Sequence, residues 1–195
     1  MTTEIKLVKI KHPNALAICQ GLELEEQATS LLNEFPVTTD FIGQLLEQKL
    51  YPDAVRFLAH ALPKREATWW ACLCARKGLT DKTPPIQVKA IELAEAWVYK
   101  PVDENSKLSY QAAEAAGYKN PASWAATAAF WSGSDISPVS EAVIPPDEKL
   151  YAKAVIGAVM LAATLGEASQ IESNYLLFLK QALNIASGGD GRSVQ

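Results

Sequence analysis

Ala67-Thr-Trp-Trp-Ala-Cys-Leu-Cys-Ala75 is a run of nine uncharged residues set between Lys64-Arg65-Glu66 and Arg76-Lys77-Gly78. At about 1.5 Å of rise per residue it makes roughly two and a half helical turns. Trp69 and Trp70 then point about 100° apart, so one apolar stripe cannot hide both. A helix of this kind is either wrapped by other elements or turns one tryptophan towards a partner.

Outward from this stretch the chain keeps a helical period. Pro63 occupies a favoured first-turn position for the tryptophan helix, and Gly78 closes it. Before it, Pro52 opens a helix that turns Ala54, Phe57, Leu58, Ala61 and Leu62 inward. Phe41, Ile42, Leu45, Leu46 and Leu50 line the apolar side of an earlier one, for which Thr38-Thr39-Asp40 offers N-caps. Leu24, Ala28, Leu31, Leu32 and Phe35 share one face of a helix that Pro36 stops. A further helix starts near Asn14. Residues 1–13 alternate only at Ile5, Leu7 and Ile10, and a strand without a partner is not a sheet, so they read as an N-terminal arm.

On the other side, residues 79–85 form a linker, and Ile86 to Tyr99 is a helix ended by Pro101. Ser106 to Ala116 and Pro121 to Trp131 form a pair joined by Gly117-Tyr-Lys-Asn120. The three prolines and many serines of 132–146 predict a surface loop. Asp147 and Glu148 suit the positive end of a helix that runs to Leu165. Ile171 to Ala186 is the last helix, and Ser187-Gly-Gly-Asp-Gly191 begins a disordered tail spanning 187–195. The expected fold is all-α: a single domain of about nine helices over 14–186. Moving Ala67-Thr-Trp-Trp-Ala…Gly78 by 55 residues lays it over Ala122-Ser-Trp-Ala-Ala…Gly133, which raises stacked helical hairpins as the architecture.

Composition excludes several functions. Apolar residues make up 49% and charged residues 21% of the 195, the balance of a soluble globular domain. A net charge of −4 argues against a nucleic-acid partner. The longest uncharged stretch, Ala154 to Gly166, is too short to cross a membrane, and the first residues lack the apolar core of a signal peptide. Cys19, Cys72 and Cys74 leave an odd thiol, and two cysteines two apart on a helix point in different directions. Reduced thiols and a cytoplasmic address follow.

The chemistry-bearing residues are few. Cys72-Leu-Cys74 lacks zinc-knuckle spacing and a nearby histidine, so no metal is expected. No nucleophile motif and no Gly-rich phosphate loop stands out, so no catalytic residue and no cofactor is expected. Asp53, Arg56 and His60 fall opposite Phe57 and Leu58 and read as a solvated helix face rather than a catalytic group, because no second His or Cys completes a site. An enzyme using Asp53, Arg56, His60 or Glu66 is the alternative class. Ala112 to Trp124 resembles the helix-turn-helix of AraC-type regulators, but its second helix contains no Lys or Arg, which base and phosphate contacts require. Trp69, Trp70, Trp97, Trp124 and Trp131 lie among alanines and read mostly as core. Arg65, Trp69, Cys72 and Arg76 share one stripe, with cations at either end of an aromatic. Tryptophan and arginine are enriched at binding hot spots, so this stripe is the expected protein-binding surface.

Phe57-Leu-Ala-His-Ala-Leu-Pro-Lys-Arg-Glu-Ala67 with Trp69-Trp-Ala-Cys-Leu-Cys-Ala-Arg76 resembles the signature of a bacterial domain family of unknown function. Ala112-Ala-Glu-Ala-Ala-Gly117, Ala128-Ala-Phe-Trp-Ser-Gly133 and Ala154-Val-Ile-Gly-Ala-Val159 match its second half, for a span of about 40–186. The resemblance implies an all-helical bacterial cytoplasmic protein with no established catalytic residues, found near type VI secretion genes. The expected function is a non-enzymatic interaction module, an accessory or adaptor of such an apparatus. A toxin immunity protein is the other reading of the same surface.

Overall fold

Prolines and polar caps set many helix boundaries in the computed structural model, which describes residues 6–137 and 142–193. The elements are α1 (Ala15–Ile18), α2 (Glu26–Glu34), α3 (Thr38–Glu47), α4 (Tyr51–Ala61) and α5 (Lys64–Lys77). They continue with α6 (Pro85–Tyr99), α7 (Asp103–Ala116), α8 (Pro121–Trp131), α9 (Leu150–Thr164), a 3-10 turn (Ala168–Gln170) and α10 (Ile171–Ala186). Among the described residues the only β pairing is an isolated bridge between Asn14 and Val37. The fold is all-α in one domain. No single helix among the described residues is long and apolar enough to cross a membrane.

Local chemistry explains where ends fall, and where they depart from expectation. Asn14 caps α1 by accepting the Leu16 N–H at 2.8 Å. Asn120 caps α8 by accepting the Ser123 N–H at 2.9 Å. Thr38 does not cap α3 but begins it, and its hydroxyl donates to the His12 carbonyl at 2.8 Å, tying the arm down. Pro63 is the N-cap of α5 rather than its first residue. Asp147 and Glu148 stand before α9, with the Leu150 N–H donating to the Asp147 carbonyl at 3.0 Å. Asp103 opens α7 three residues before the expected start, its carboxylate accepting from Ser134 N–H and Oγ at 3.1 and 2.6 Å.

The centre is formed by α5, α8 and α9, each packed against the other two. Helices α6 and α7 cover the rest of α8, while α4 and α10 cover α9; α2 and α3 reach the body through α4. Ala125, Ala126, Ala128 and Ala129 of α8 and Ala154 and Ala158 of α9 are fully buried. Their small side chains let the helix axes approach closely and fill the interior to crystal-like density. Trp70 closes the gap to α10: it is fully buried and its Nε1–H donates to the Phe178 carbonyl at 2.8 Å.

The stacked-hairpin expectation is not what this packing shows. Helices α7 and α8 pack along their lengths, whereas α4 and α5 hardly touch and both press on α9. The 55-residue similarity therefore marks two central helices, not two copies of a hairpin.

The chain ends are also packed. The Lys9 N–H donates to the Ala186 carbonyl at 2.8 Å, and Lys9 Nζ lies 3.0 Å from Glu66. Disorder was expected from Ser187 onward, yet residues 187–193 fold back as a strap over α5 and α10. The Gly191 N–H donates to Asn184 Oδ1 at 2.9 Å. Gly191 has φ 73°, and a Cβ there would stand 2.8 Å from Leu73 and 2.9 Å from Ile185. Glycine serves here for close approach, not for floppiness. The expected surface loop is pinned by Asp135, which accepts from the Ser137 and Ile144 N–H groups at 2.8 and 3.0 Å and pairs with Lys107 at 3.1 Å. Residues 138–141 of that loop, 1–5 of the arm and 194–195 of the tail lie outside the described residues.

Candidate interaction surface around Trp69

The four residues of the α5 stripe meet four different environments. Arg65 is exposed, and its Nε donates to the Val98 carbonyl at 2.6 Å, capping the last turn of α6. Trp69 is half-buried, and its Nε1–H donates to the Asp190 carbonyl of the strap at 2.7 Å. Cys72 is fully buried, so the stripe does not present it to a partner. Burial, with the nearby Glu95 charge, holds its thiol well above the ordinary range. Arg76 is locked to α6, its Nε and Nη2 donating to the two oxygens of Glu95 at 2.5 and 2.7 Å. A bidentate pair of this kind is geometrically specific.

The stripe thus splits. Arg65 and Trp69 stay together at the surface, Cys72 is core, and Arg76 is a strut. A helical period gives direction but not what the neighbouring helix places in that direction, which is why Cys72 was misplaced.

Two residues outside the stripe complete the surface. Tyr99, the last residue of α6, is 63% exposed with its ring 6.1 Å from that of Trp69. Arg192 lies 4.7 Å over the Trp69 ring and donates to the Tyr99 hydroxyl at 3.0 Å. Together with Arg65 and Lys9 they line a shallow groove of about 340 Å³. Tyr99 was legible as an aromatic at a helix end; Arg192 carried no signal, because the tail read as disordered.

The remaining candidates resolve differently. Asp53 and His60 are buried, not solvated, at 2% and 8% exposure. Asp53 accepts the Glu25 N–H at 3.2 Å and Arg56 Nη1 at 2.9 Å, fastening the start of α2 to α4. His60 Nδ1 bonds the Arg56 carbonyl at 3.0 Å; the ring lies two turns from Asp53 and makes no hydrogen bond to it. The trio is a set of anchors. All three cysteines are free and buried, and burial pushes the Cys19 thiol up to about 11. Among the described residues no group of three His, Cys, Asp or Glu is placed to hold a metal ion. A cavity of about 860 Å³ lies against α5, α9 and α10; its described lining includes Lys77, Thr80, Asn174 and Lys180 and no carboxylate, histidine or thiol. Helix α8, which would be the recognition helix of a DNA-binding motif, is enclosed by four other helices and cannot enter a groove.

Fold and surface together define an all-α, single-domain protein carrying an aromatic–arginine groove between α5, the end of α6 and a C-terminal strap. The chain belongs to a family of unknown function, DUF6931, whose family model matches residues 41–186. Comparison with curated proteins and with solved structures finds no match.

Proposed function

We propose that the protein is a non-enzymatic interaction module that seats a protein partner in the groove around Trp69, and that it acts as an accessory or adaptor of a type VI-like secretion apparatus. One observation carries the interaction reading. Tyr99, 63% exposed, stands beside a half-buried tryptophan with two arginines in the same groove. Trp, Tyr and Arg are the residues that dominate binding energy at interfaces. The Arg65 Nη groups make no hydrogen bond among the described residues, which leaves donors for a partner's carboxylate or carbonyl. The secretion context rests on the family resemblance alone.

The test places a photo-crosslinking side chain at Lys100, next to Tyr99, in the native bacterium. The expected result is a crosslink to one component of the secretion apparatus, lost when Tyr99→Ala is added. Crosslinks that persist unchanged in Tyr99→Ala and Arg65→Ala would remove the groove. One-to-one capture of a toxin would instead identify an immunity protein.

A further inference from the structure

We infer that the cleft between the N-terminal arm, the end of α4 and the starts of α5 and α9 binds a small phosphate-type anion. This site adjoins the Trp69 groove at Lys9, whose charge is paired with Glu66, and does not depend on the function proposed for that groove. The chain as a whole carries −4. Yet Lys9, Lys11 and His12 from the arm line this cleft with His60, Lys64 and Lys149. Both histidines of the protein are among them. Among the described lining residues Glu148 is the one carboxylate. The volume, about 550 Å³, is that of a small-molecule site.

Three features distinguish it from a chance gathering of surface lysines. First, two of the carbonyls at the end of α4, which would repel an anion, are already occupied. Lys149 Nζ donates to the His60 carbonyl at 2.9 Å, and the Tyr151 hydroxyl donates to the Leu62 carbonyl at 2.8 Å. Lys149 is thereby held in place without a carboxylate partner; Lys11 and Lys64 likewise form no ion pair among the described residues.

Second, the positive end of α5 opens here. Its first intrahelical bond runs from the Ala67 N–H to the Pro63 carbonyl, and no side chain caps it. The N–H groups of the first turn are left for a ligand at the head of a fourteen-residue helix, with Pro63 and Lys64 in the cleft wall.

Third, His60 is a polar side chain only 8% exposed. Its Nδ1 faces a carbonyl, which can only accept, so Nδ1 carries the proton and Nε2 offers a lone pair. Nε2 has no partner among the described residues, and every buried side-chain N or O among them has one, so Nε2 is the edge that reaches solvent. A lone pair among cations fits an anion that keeps a hydroxyl, as a hydrogen phosphate does and sulfate does not.

The test is a titration of the full chain with inorganic pyrophosphate at 150 mM NaCl, read from the histidine ring signals, His60 being assigned from a His12→Gln sample. The inference expects a saturable shift of the His60 signals. Lys64→Gln and Lys149→Gln should each weaken binding about tenfold. Lys82→Gln, in the 79–84 linker, should leave it unchanged. A bound-state rise in Tm should accompany the shift in wild type and shrink in Lys64→Gln. A nucleoside diphosphate that binds at least as tightly identifies an organic ligand; pyrophosphate alone identifies the inorganic ion, and both satisfy the inference. Shifts that do not saturate, sulfate binding as tightly as pyrophosphate, or wild-type affinity in Lys64→Gln would overturn it.

Discussion

Trp69 and Trp70 are chemically the same side chain one residue apart, and their surroundings give them opposite roles. Trp70 is enclosed and hydrogen-bonded to α10, so Trp70→Ala should cost about 3–5 kcal/mol in a denaturant titration, whereas Trp69→Ala should cost much less. His60 adds a pH dependence. Burial, assisted by the Lys149 and Lys153 charges and opposed by the bond to Arg56, holds its pKa below the ordinary imidazole value. The unfolded chain takes up that proton near pH 6.5 while the folded chain does not. Stability is therefore fully present above about 6.5 and declines as pH falls below it, towards the folded value. Thermal melts between pH 7.5 and 5.5 should show this loss, and His60→Gln should flatten it. At this scale the sequence made plain that two adjacent tryptophans cannot share one face. It did not show that Asp53 and His60 are buried, because charge on a helix reads as solvent until the start of α2 and the start of α9 are known to lie over those residues.

Among the elements, α8 is the most enclosed, with α5, α6, α7 and α9 packed around it. Its run from Pro121 to Trp131 holds no charge, and the structure sets it in the middle. Helix number, order and most ends were legible from prolines, Asn caps and the apolar period. What was not legible was which helices pair: α4 and α5 follow each other through Leu62-Pro63 like a hairpin but pack on α9 and α10 rather than on each other. The two glycines that end α5 and α8 show the difference. A Cβ at Gly133 would lie 2.6 Å from Ser106 Oγ and 3.0 Å from Ser106 Cβ, whereas at Gly78 the nearest atom is Leu165 Cδ1 at 3.4 Å. Gly133→Ala should destabilise by about 1–3 kcal/mol by forcing α7 away, and Gly78→Ala should be near neutral in the same denaturant assay. Equal effects at both positions would restore the repeat.

For the whole molecule, the family span of 41–186 ends where α10 ends, and both candidate sites draw on chain outside it. Lys9, Lys11 and His12 supply one wall of the cleft; Asp190 and Arg192 roof the Trp69 groove. Those contributions were the least legible part of the sequence, since short segments without a period take their conformation from the surface they settle on. Deleting residues 188–195 should leave the helical circular dichroism intact while lowering Tm by a few degrees, through loss of the bonds to Trp69 and Tyr99. The strap also gives the protein an optical property. A guanidinium 4.7 Å from an indole and a carbonyl on its Nε1–H set the colour and brightness of that one fluorophore. Lifting the strap would put water in their place and move its emission to longer wavelength, whereas a partner that settles over the strap would not. Tryptophan fluorescence, with no added dye and with the emission of the other four tryptophans subtracted using Trp69→Phe, thus separates displacement from capping at this surface.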